Sequence, residues 1–97
     1  MRYNIHRKEA ILMERLEDLP NIGKVVAQQL IQVGIESPAK LKAIGAKEAW
    51  LKIQAIDASA CIHRLYGLEG AIEGIKKTQL DFETKADLKQ FYKDHKL

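Results

Sequence analysis

Few side chains in this 97-residue chain have the types and spacing that catalysis or metal binding requires. The three histidines, His6, His63 and His95, are far apart, and neither a Cys-x-x-Cys nor a His-x-x-x-His pattern involves Cys61. A metal site needs several such ligands close together, so the sequence predicts no metal site and no cofactor. Cys61 itself falls on an apolar stripe, which is typical of a small buried hydrophobe rather than a nucleophile.

A second candidate for chemistry is the carboxylate pair Glu69 and Glu73, which are four residues apart and would share one face of a helix. Such a pair could exchange a proton, but glutamates on a surface helix are usually solvated. No predicted strand precedes a glycine-rich segment, as a phosphate-binding loop of an enzyme would require. The sequence therefore indicates a protein that is not an enzyme.

The turn LPNIG, residues 19–23, has the clearest chemical potential. Asn21 and Gly23 are residue types that tolerate unusual backbone angles. A helix that begins here exposes backbone N–H groups at its N-terminus, where the helix dipole favours an anion such as a phosphate oxygen. The amides of Asn21, Gly23 and Val25, with the charged side chain of Lys24 beside them, are therefore the candidate nucleic-acid contact.

A second turn repeats the first at an offset of 22 residues, with Ile44-Gly45 in the place of Ile22-Gly23. Helix-hairpin-helix units in tandem would produce this repeat, so Gly45 and Lys47 join the candidate nucleic-acid contacts. The matched apolar positions are Leu19 with Leu41, Ala27 with Ala49, and Ile31 with Ile53. The alternative stays open that both turns only join helices.

The stretch LPNIGKVVAQQL, residues 19–30, resembles the helix-hairpin-helix motif of DNA binders that do not read sequence. Those proteins usually have Leu-Pro-Gly-Ile-Gly, so Asn21 stands in the place of the first glycine. A side chain at that position can crowd an approaching phosphate. A contact of this kind positions a protein on the duplex and carries no base information.

Over residues 16–80 the chain is similar to the C-terminal domain of the TfoX/Sxy family. The similarity rests on LPNIGKVVAQQLIQVGIESPAKLKAIGAKEAW and CIHRLYGLEGAIEGI, whose turns follow in the expected order. Asn21 is normal for that family. The resemblance implies a bacterial regulator of competence genes with a helix-hairpin-helix-like fold. Many relatives carry a separate N-terminal domain, and the stand-alone form is expected here, which leaves the regulatory role open.

The elements that must position these turns are all predicted to be helices, because apolar residues recur at spacings of three and four without a period-2 run. We expect one all-α domain over residues 1–97, with five or six helices. Their predicted ranges are 4–17, 24–33, 38–44, 46–55, 60–76 and 83–95. Gly34 is expected to end the second helix, and Ser37 to cap the third with Pro38 at its first position. Asp57 or Ser59 is expected to cap the fifth and longest.

Each predicted helix has an apolar face that we expect to be buried. The expected inward residues are Val26, Ala27, Leu30, Ile31 and Val33; Ala49, Trp50 and Ile53; Cys61, Leu65, Leu68, Ile72 and Ile75; and Ala86, Leu88, Phe91 and Tyr92. Gly67, Gly70 and Gly74 lie off this face, and each costs about 1 kcal/mol in a helix interior relative to alanine. Their presence predicts the close approach of a neighbouring helix.

Composition places the chain among ordinary globular domains and excludes collagen, disulfide scaffolds and disordered acidic tails. Hydrophobic residues make up 46% and charged residues 30%. No apolar run approaches the roughly 18 residues that a membrane span needs, and the basic start has no apolar stretch typical of a secretory signal. With one cysteine, these features predict a cytoplasmic domain without a membrane partner.

The net charge of +3 permits an anionic partner without requiring one. Two turns could neutralise roughly two to four phosphates, which predicts weak, non-specific binding to the backbone of double-stranded DNA. The alternative is a protein–protein adaptor that docks on a transcription-related protein without direct DNA contact. Self-association as a homodimer also stays open.

Overall fold

A computed structural model describes residues 15–97, and this part of the chain is helical throughout, with no strand between these bounds. Five α-helices follow one another: α1 (Lys24–Gln32), α2 (Pro38–Ile44), α3 (Ala46–Ile56), α4 (Ile62–Glu73) and α5 (Phe82–His95). Short 3-10 turns lie at Leu16–Asp18 and Lys77–Gln79. The all-α prediction is confirmed. The first predicted helix, residues 4–17, lies outside the described residues except for its last residues.

Local sequence signals account for the C-terminus of α1 and the N-terminus of α2. The N–H groups of Gly34 and Ile35 donate to the carbonyls of Ile31 and Leu30 at 3.0 and 2.8 Å, and Gly34 has a φ of +90°. This is a Schellman motif, which needs a residue that accepts a left-handed backbone. The hydroxyl of Ser37 accepts the N–H of Lys40, with Pro38 at the first helical position, so the predicted caps are confirmed.

The fourth helix is shorter than predicted. It runs over 12 residues, whereas α5 has 14 and is the longest described helix. Gly74 adopts the left-handed conformation and ends α4 at Glu73, so the predicted extension to residue 76 is wrong. The predicted cap is also wrong, because Cys61 occupies the N-cap position.

The core surrounds Trp50, which is fully buried together with Leu30, Leu41, Ile53, Leu65 and Leu68. The indole N–H donates to the Cys61 carbonyl at 3.2 Å, which gives the one polar atom of this side chain a partner. The rings of Phe91 and Tyr92 meet the indole edge-on at centroid distances of 6.3 and 5.6 Å. These contacts attach α5 to α3 and bring α1, α2 and α4 around one apolar centre.

Three residues predicted to face inward are exposed. Ile31 is 51% exposed because it follows the fully buried Leu30, and successive residues of a helix point about 100° apart. Ala86 is exposed for a similar reason, two positions before the buried Leu88. Cys61 is exposed because it precedes the first helical turn and so departs from the helical stripe.

The Leu30 and Ile31 pair tests this assignment of the buried face. Leu30→Ala should lower the free energy of unfolding by about 2–5 kcal/mol, because it removes a fully buried side chain and leaves a cavity. Ile31→Ala is the matched control and should change it by less than about 0.5 kcal/mol. Urea unfolding followed by the fluorescence of the single tryptophan, Trp50, measures both. Equal losses in the two variants would contradict the assignment.

Candidate nucleic-acid interface

The first turn leaves its backbone donors open. Gly23 is the N-cap of α1 with φ −93° and ψ −170°, and Lys24 and Val25 are the first two helical residues. The N–H groups of Gly23, Lys24 and Val25 have no acceptor anywhere in residues 15–97, and the first bonded amide of the helix is that of Ala27, which donates to the Gly23 carbonyl at 2.9 Å. All three residues are exposed, and no atom lies within 4 Å of the place where a Gly23 side chain would stand.

Asn21 turns its side chain toward the protein and away from this opening. Its backbone has a φ of +68°. The side-chain amide donates to the carbonyls of Gly67 at 3.3 Å and Ile75 at 3.0 Å, and its oxygen accepts the N–H of Lys77 at 3.1 Å. We call these three bonds the Asn21 clamp. The clamp holds the Asn21 side chain against α4 and the segment after it, so the side chain that could crowd a phosphate is engaged elsewhere.

The clamp also explains one of the two glycines of α4, Gly70. Gly67 and Gly70 are buried, and a Cβ atom at Gly70 would stand 2.6 Å from Asn21 Nδ2 and 2.7 Å from the Ile75 carbonyl. At Gly67 a Cβ atom would lie 3.4 Å from the Asn21 Cβ, which is an ordinary contact. The sequence predicted the approach of a neighbouring helix at these glycines. What approaches is the first turn and the chain that follows α4.

The two glycines give a test of the clamp. Gly70→Ala should destabilise the fold by about 1–3 kcal/mol, because the added methyl group meets the backbone carbonyl of Ile75 and displaces the Asn21 amide. Gly67→Ala should be neutral or stabilise the fold by up to about 1 kcal/mol, because alanine favours the helix and space exists for it. Chemical denaturation of both variants measures the difference. The clamp geometry is wrong if Gly70→Ala is as stable as Gly67→Ala.

The second turn has surroundings of the opposite charge. Gly45 has a φ of +88° and joins α2 to α3, but Ala46 behind it is buried. A groove at this turn, with a volume of about 550 Å³, is lined by three carboxylate residues: Glu69, Glu83 and Asp87. The Lys47 ammonium lies 2.7 Å from the Asp87 carboxylate, so its charge is already paired. Gly45 and Lys47 therefore sit beside an acidic groove, and the two predicted turns line separate grooves.

The carboxylates on this side of the molecule interact. A hydrogen bond with the side chain of Glu73, together with partial burial and the negative charge of Glu73, raises the pKa of Glu69 from 4.5 to about 7. The nearby Lys47 opposes this rise. Glu69 and Glu73 thus do share a helix face, as their spacing predicts. At neutral pH Glu69 holds a proton for part of the time, which lowers the negative charge of the acidic groove.

The raised pKa of Glu69 predicts a pH dependence of stability. The folded state holds this proton more tightly than the unfolded state, so the contribution is complete below about pH 4.5 and is lost as the pH rises through 7. Glu69→Gln should match the wild type near pH 4.5 and be more stable above pH 7, by less than about 1 kcal/mol because solvent screens the site. Thermal unfolding across this pH range measures the difference. A difference that does not grow with pH would contradict the assignment.

A polar network joins α1 to the start of α4. The Asp57 carboxylate accepts hydrogen bonds from Nη1 of Arg64 at 2.8 Å and from the side-chain amide of Gln29 at 2.9 Å. Nη1 of Arg64 also donates to the side-chain oxygen of Gln29 at 3.1 Å. The Ser59 hydroxyl, then Arg64 and Gln29, hold the pKa of Asp57 well below its usual range. Sequence reasoning missed this network, since its members are 7 to 35 residues apart and share no motif.

Within residues 15–97, no group of three or more His, Cys, Asp or Glu side chains is arranged to hold a metal ion. None of the helices described above has both the length and the apolar character that crossing a bilayer demands.

Comparison with known proteins gives consistent matches. The family model of the TfoX C-terminal domain matches residues 12–92. Protein Sxy of Escherichia coli (strain K12) is 35% identical over 78 residues, which cover 80% of this chain and 37% of Sxy. The chain thus corresponds to little more than a third of the length of that relative.

Solved structures from Listeria monocytogenes have the same fold. The crystal structure of an uncharacterized protein in a triclinic form is 48% identical and has a TM-score of 0.83, covering 84% of this chain and 92% of that one. A protein of unknown function in a tetragonal form is 49% identical and has a TM-score of 0.80, with coverage of 81% and 96%. Nearly the whole of those two chains is therefore similar to this one.

Proposed function

Because the chain belongs to the family of TfoX C-terminal domains, we propose that it is a non-catalytic regulatory module that binds the phosphate backbone of double-stranded DNA. The contact is the first turn, where α1 begins. The turn positions the module on the duplex and reads no bases, because phosphate contacts carry no sequence information.

The observation that carries this proposal is the set of open N–H groups at Gly23, Lys24 and Val25. Three successive donors at the N-terminus of a helix, together with the helix dipole, are suited to a phosphate oxygen. The Lys24 side chain adds a positive charge at the first helical position, and the absence of a side chain at Gly23 leaves room for close approach. The Asn21 clamp supports the proposal because it keeps the one bulky polar group of the turn away from the opening.

The second turn contributes nothing to the proposed contact. Its groove carries Glu69, Glu83 and Asp87, and these carboxylates would repel a phosphate. Lys47 is paired with Asp87, and withdrawing it from that pair would leave the carboxylate without its partner. We therefore assign the proposed contact to the first turn alone and leave Gly45 and Lys47 out of it.

One turn neutralises roughly one or two phosphates, which corresponds to a salt slope of about −1 to −2 and to weak binding at physiological salt. A regulatory role then depends on a second source of affinity, such as a transcription-related protein or a second copy of the chain. The regulation of competence genes, which the family resemblance implies, is part of this proposal, and so is the cytoplasmic location that the composition predicts.

The second candidate function is a protein–protein adaptor. Phe82 is 84% exposed at the start of α5, and Val25 is 64% exposed beside the first turn. Exposed aromatic residues are typical of protein interfaces and gain nothing from a phosphate. An adaptor of this kind would dock on a transcription-related protein without direct DNA contact.

Charge reversal at Lys24 tests the DNA proposal. Lys24→Glu should weaken binding to a fluorescent duplex by about fivefold and lower the salt slope by about 1, because one phosphate contact is lost and a negative charge replaces it. Lys89→Glu, at an exposed position of α5, is the matched control with the same change of charge. Fluorescence anisotropy at low and at physiological salt measures both.

Two outcomes would decide against the first turn. If Lys24→Glu and Lys89→Glu weaken binding equally, only net charge matters and the turn is not the contact. If the wild type fails to bind duplex DNA at low salt, the DNA proposal is wrong and the adaptor is favoured. In that case Phe82→Ala should reduce binding of the protein partner and leave the fold intact.

A further inference from the structure

A groove lies beside the first turn and combines an apolar floor with polar side chains at its rim. It has a volume of about 290 Å³ and lies between the start of α1, the first half of α4 and the 3-10 turn at Lys77–Gln79. Its apolar lining comes from Ile22, Val26 and Leu68, of which Ile22 and Leu68 are buried. Buried apolar atoms therefore form the floor of this groove.

The polar lining of the groove carries one positive charge that is unpaired within residues 15–97. His63, Arg64 and Lys77 line it, and no carboxylate does, whereas three carboxylate residues line the groove at the second turn. Arg64 is ion-paired with Asp57 at 2.8 Å, so Lys77 supplies the free charge. His63 and Lys77 are exposed and therefore lie at its rim. Lys77 makes no ion pair with a carboxylate of residues 15–97.

Arg64 has donors left for a ligand. Its Nη1 atom is engaged by Asp57 and Gln29, which fix the position of the guanidinium group. The Nε and Nη2 groups have no acceptor among the residues that the structure describes. A guanidinium group offers five N–H donors, and its planar fork matches a phosphate group.

The Asn21 clamp connects this groove to the first turn. Asn21 Oδ1 accepts the N–H of Lys77, and Nδ2 donates to Gly67, so the same side chain fixes the start of α1, the wall of the groove and the backbone of Lys77. Occupants of the turn and of the groove would therefore stand next to each other on one rigid surface.

We infer that the groove binds the sugar–phosphate unit adjacent to the one held at the first turn, with deoxyribose on the apolar floor and the phosphate at Lys77 and Arg64. This inference rests on the proposed function and extends it. A DNA strand alternates an anionic phosphate with a less polar sugar, which corresponds to the alternation of basic rim and apolar floor. Lys77 and Arg64 thereby become DNA-contacting residues outside the first turn.

Charge reversal at Lys77 is the first test. Lys77→Glu should weaken binding to a fluorescent duplex by about two- to fivefold, because it removes one solvent-exposed ion pair with a phosphate. It should also lower the salt slope by about 1. Lys76→Glu is the matched control, because Lys76 is the exposed neighbour that does not line the groove. Both variants keep the backbone N–H groups that the native turn uses. Equal weakening by the two variants would overturn the inference.

Cys61 gives a second measurement that does not depend on affinity. It is the single cysteine of the chain, it is exposed and it lines the groove. Duplex DNA at about ten times its Kd should slow the alkylation of Cys61 by a maleimide about tenfold, because the fraction of free groove falls by that factor. In Lys24→Glu at the same DNA concentration the protection should be weaker.

The two proposals fail in different ways. If anisotropy shows binding that depends on Lys24 while Cys61 reacts at the rate of the free protein, the groove is empty and only this inference is wrong. If the duplex does not bind at all, the proposed function is wrong and the inference falls with it. Protection of Cys61 together with a loss of affinity specific to Lys77→Glu supports both.

Discussion

The arrangement of the first turn and of the groove beside it depends on one side chain with a left-handed backbone conformation. Asn21 adopts a φ of +68°, which is more costly for asparagine than for glycine, and it offsets that cost with three hydrogen bonds across more than 45 residues of sequence. A glycine would enter the turn without strain and make none of these bonds. The asparagine therefore fixes where α1 begins relative to α4. It also requires glycine at position 70, where a Cβ atom would stand 2.6 Å from Asn21 Nδ2.

Two turns of similar sequence have opposite electrostatic surroundings in the folded chain. The first faces a groove lined by His63, Arg64 and Lys77, whereas the second faces Glu69, Glu83 and Asp87. The local geometry of an open helix start is thus only half of an anion site. The other half is the charge of side chains from distant elements, and at Gly45 the first two turns of α5 and the second half of α4 contribute carboxylates. The two turns therefore differ in the charge of the grooves beside them, although their sequences are similar.

The polar network and the aromatic core hold these two grooves in place. Asp57, Arg64 and Gln29 connect α1 to α4 beneath the groove at the first turn, and the same bonds that stabilise the fold orient the Arg64 guanidinium. On the other side, Trp50 packs against Phe91 and Tyr92 and so fixes α5, which carries two of the three carboxylate residues of the acidic groove. The same contacts that stabilise the domain therefore decide where its surface charge lies.

The sequence by itself determined the helical fold and most helix ends, because these depend on local features: apolar spacing, the Ser37 cap, Pro38 at a helix start and the left-handed glycines at 34 and 45. It also located the first turn, since an open helix start is a property of a few consecutive residues. Only the tertiary structure decided which way the Asn21 side chain points, that Ile31 of α1 is exposed, and which charged side chains surround each turn. These depend on residues far apart in the chain, such as Asn21 with Ile75, or Arg64 with Gln29. The periodicity of one helix carries no information about which element packs against it. The sequence pattern therefore could not predict the grooves at the two turns or the charges that line them.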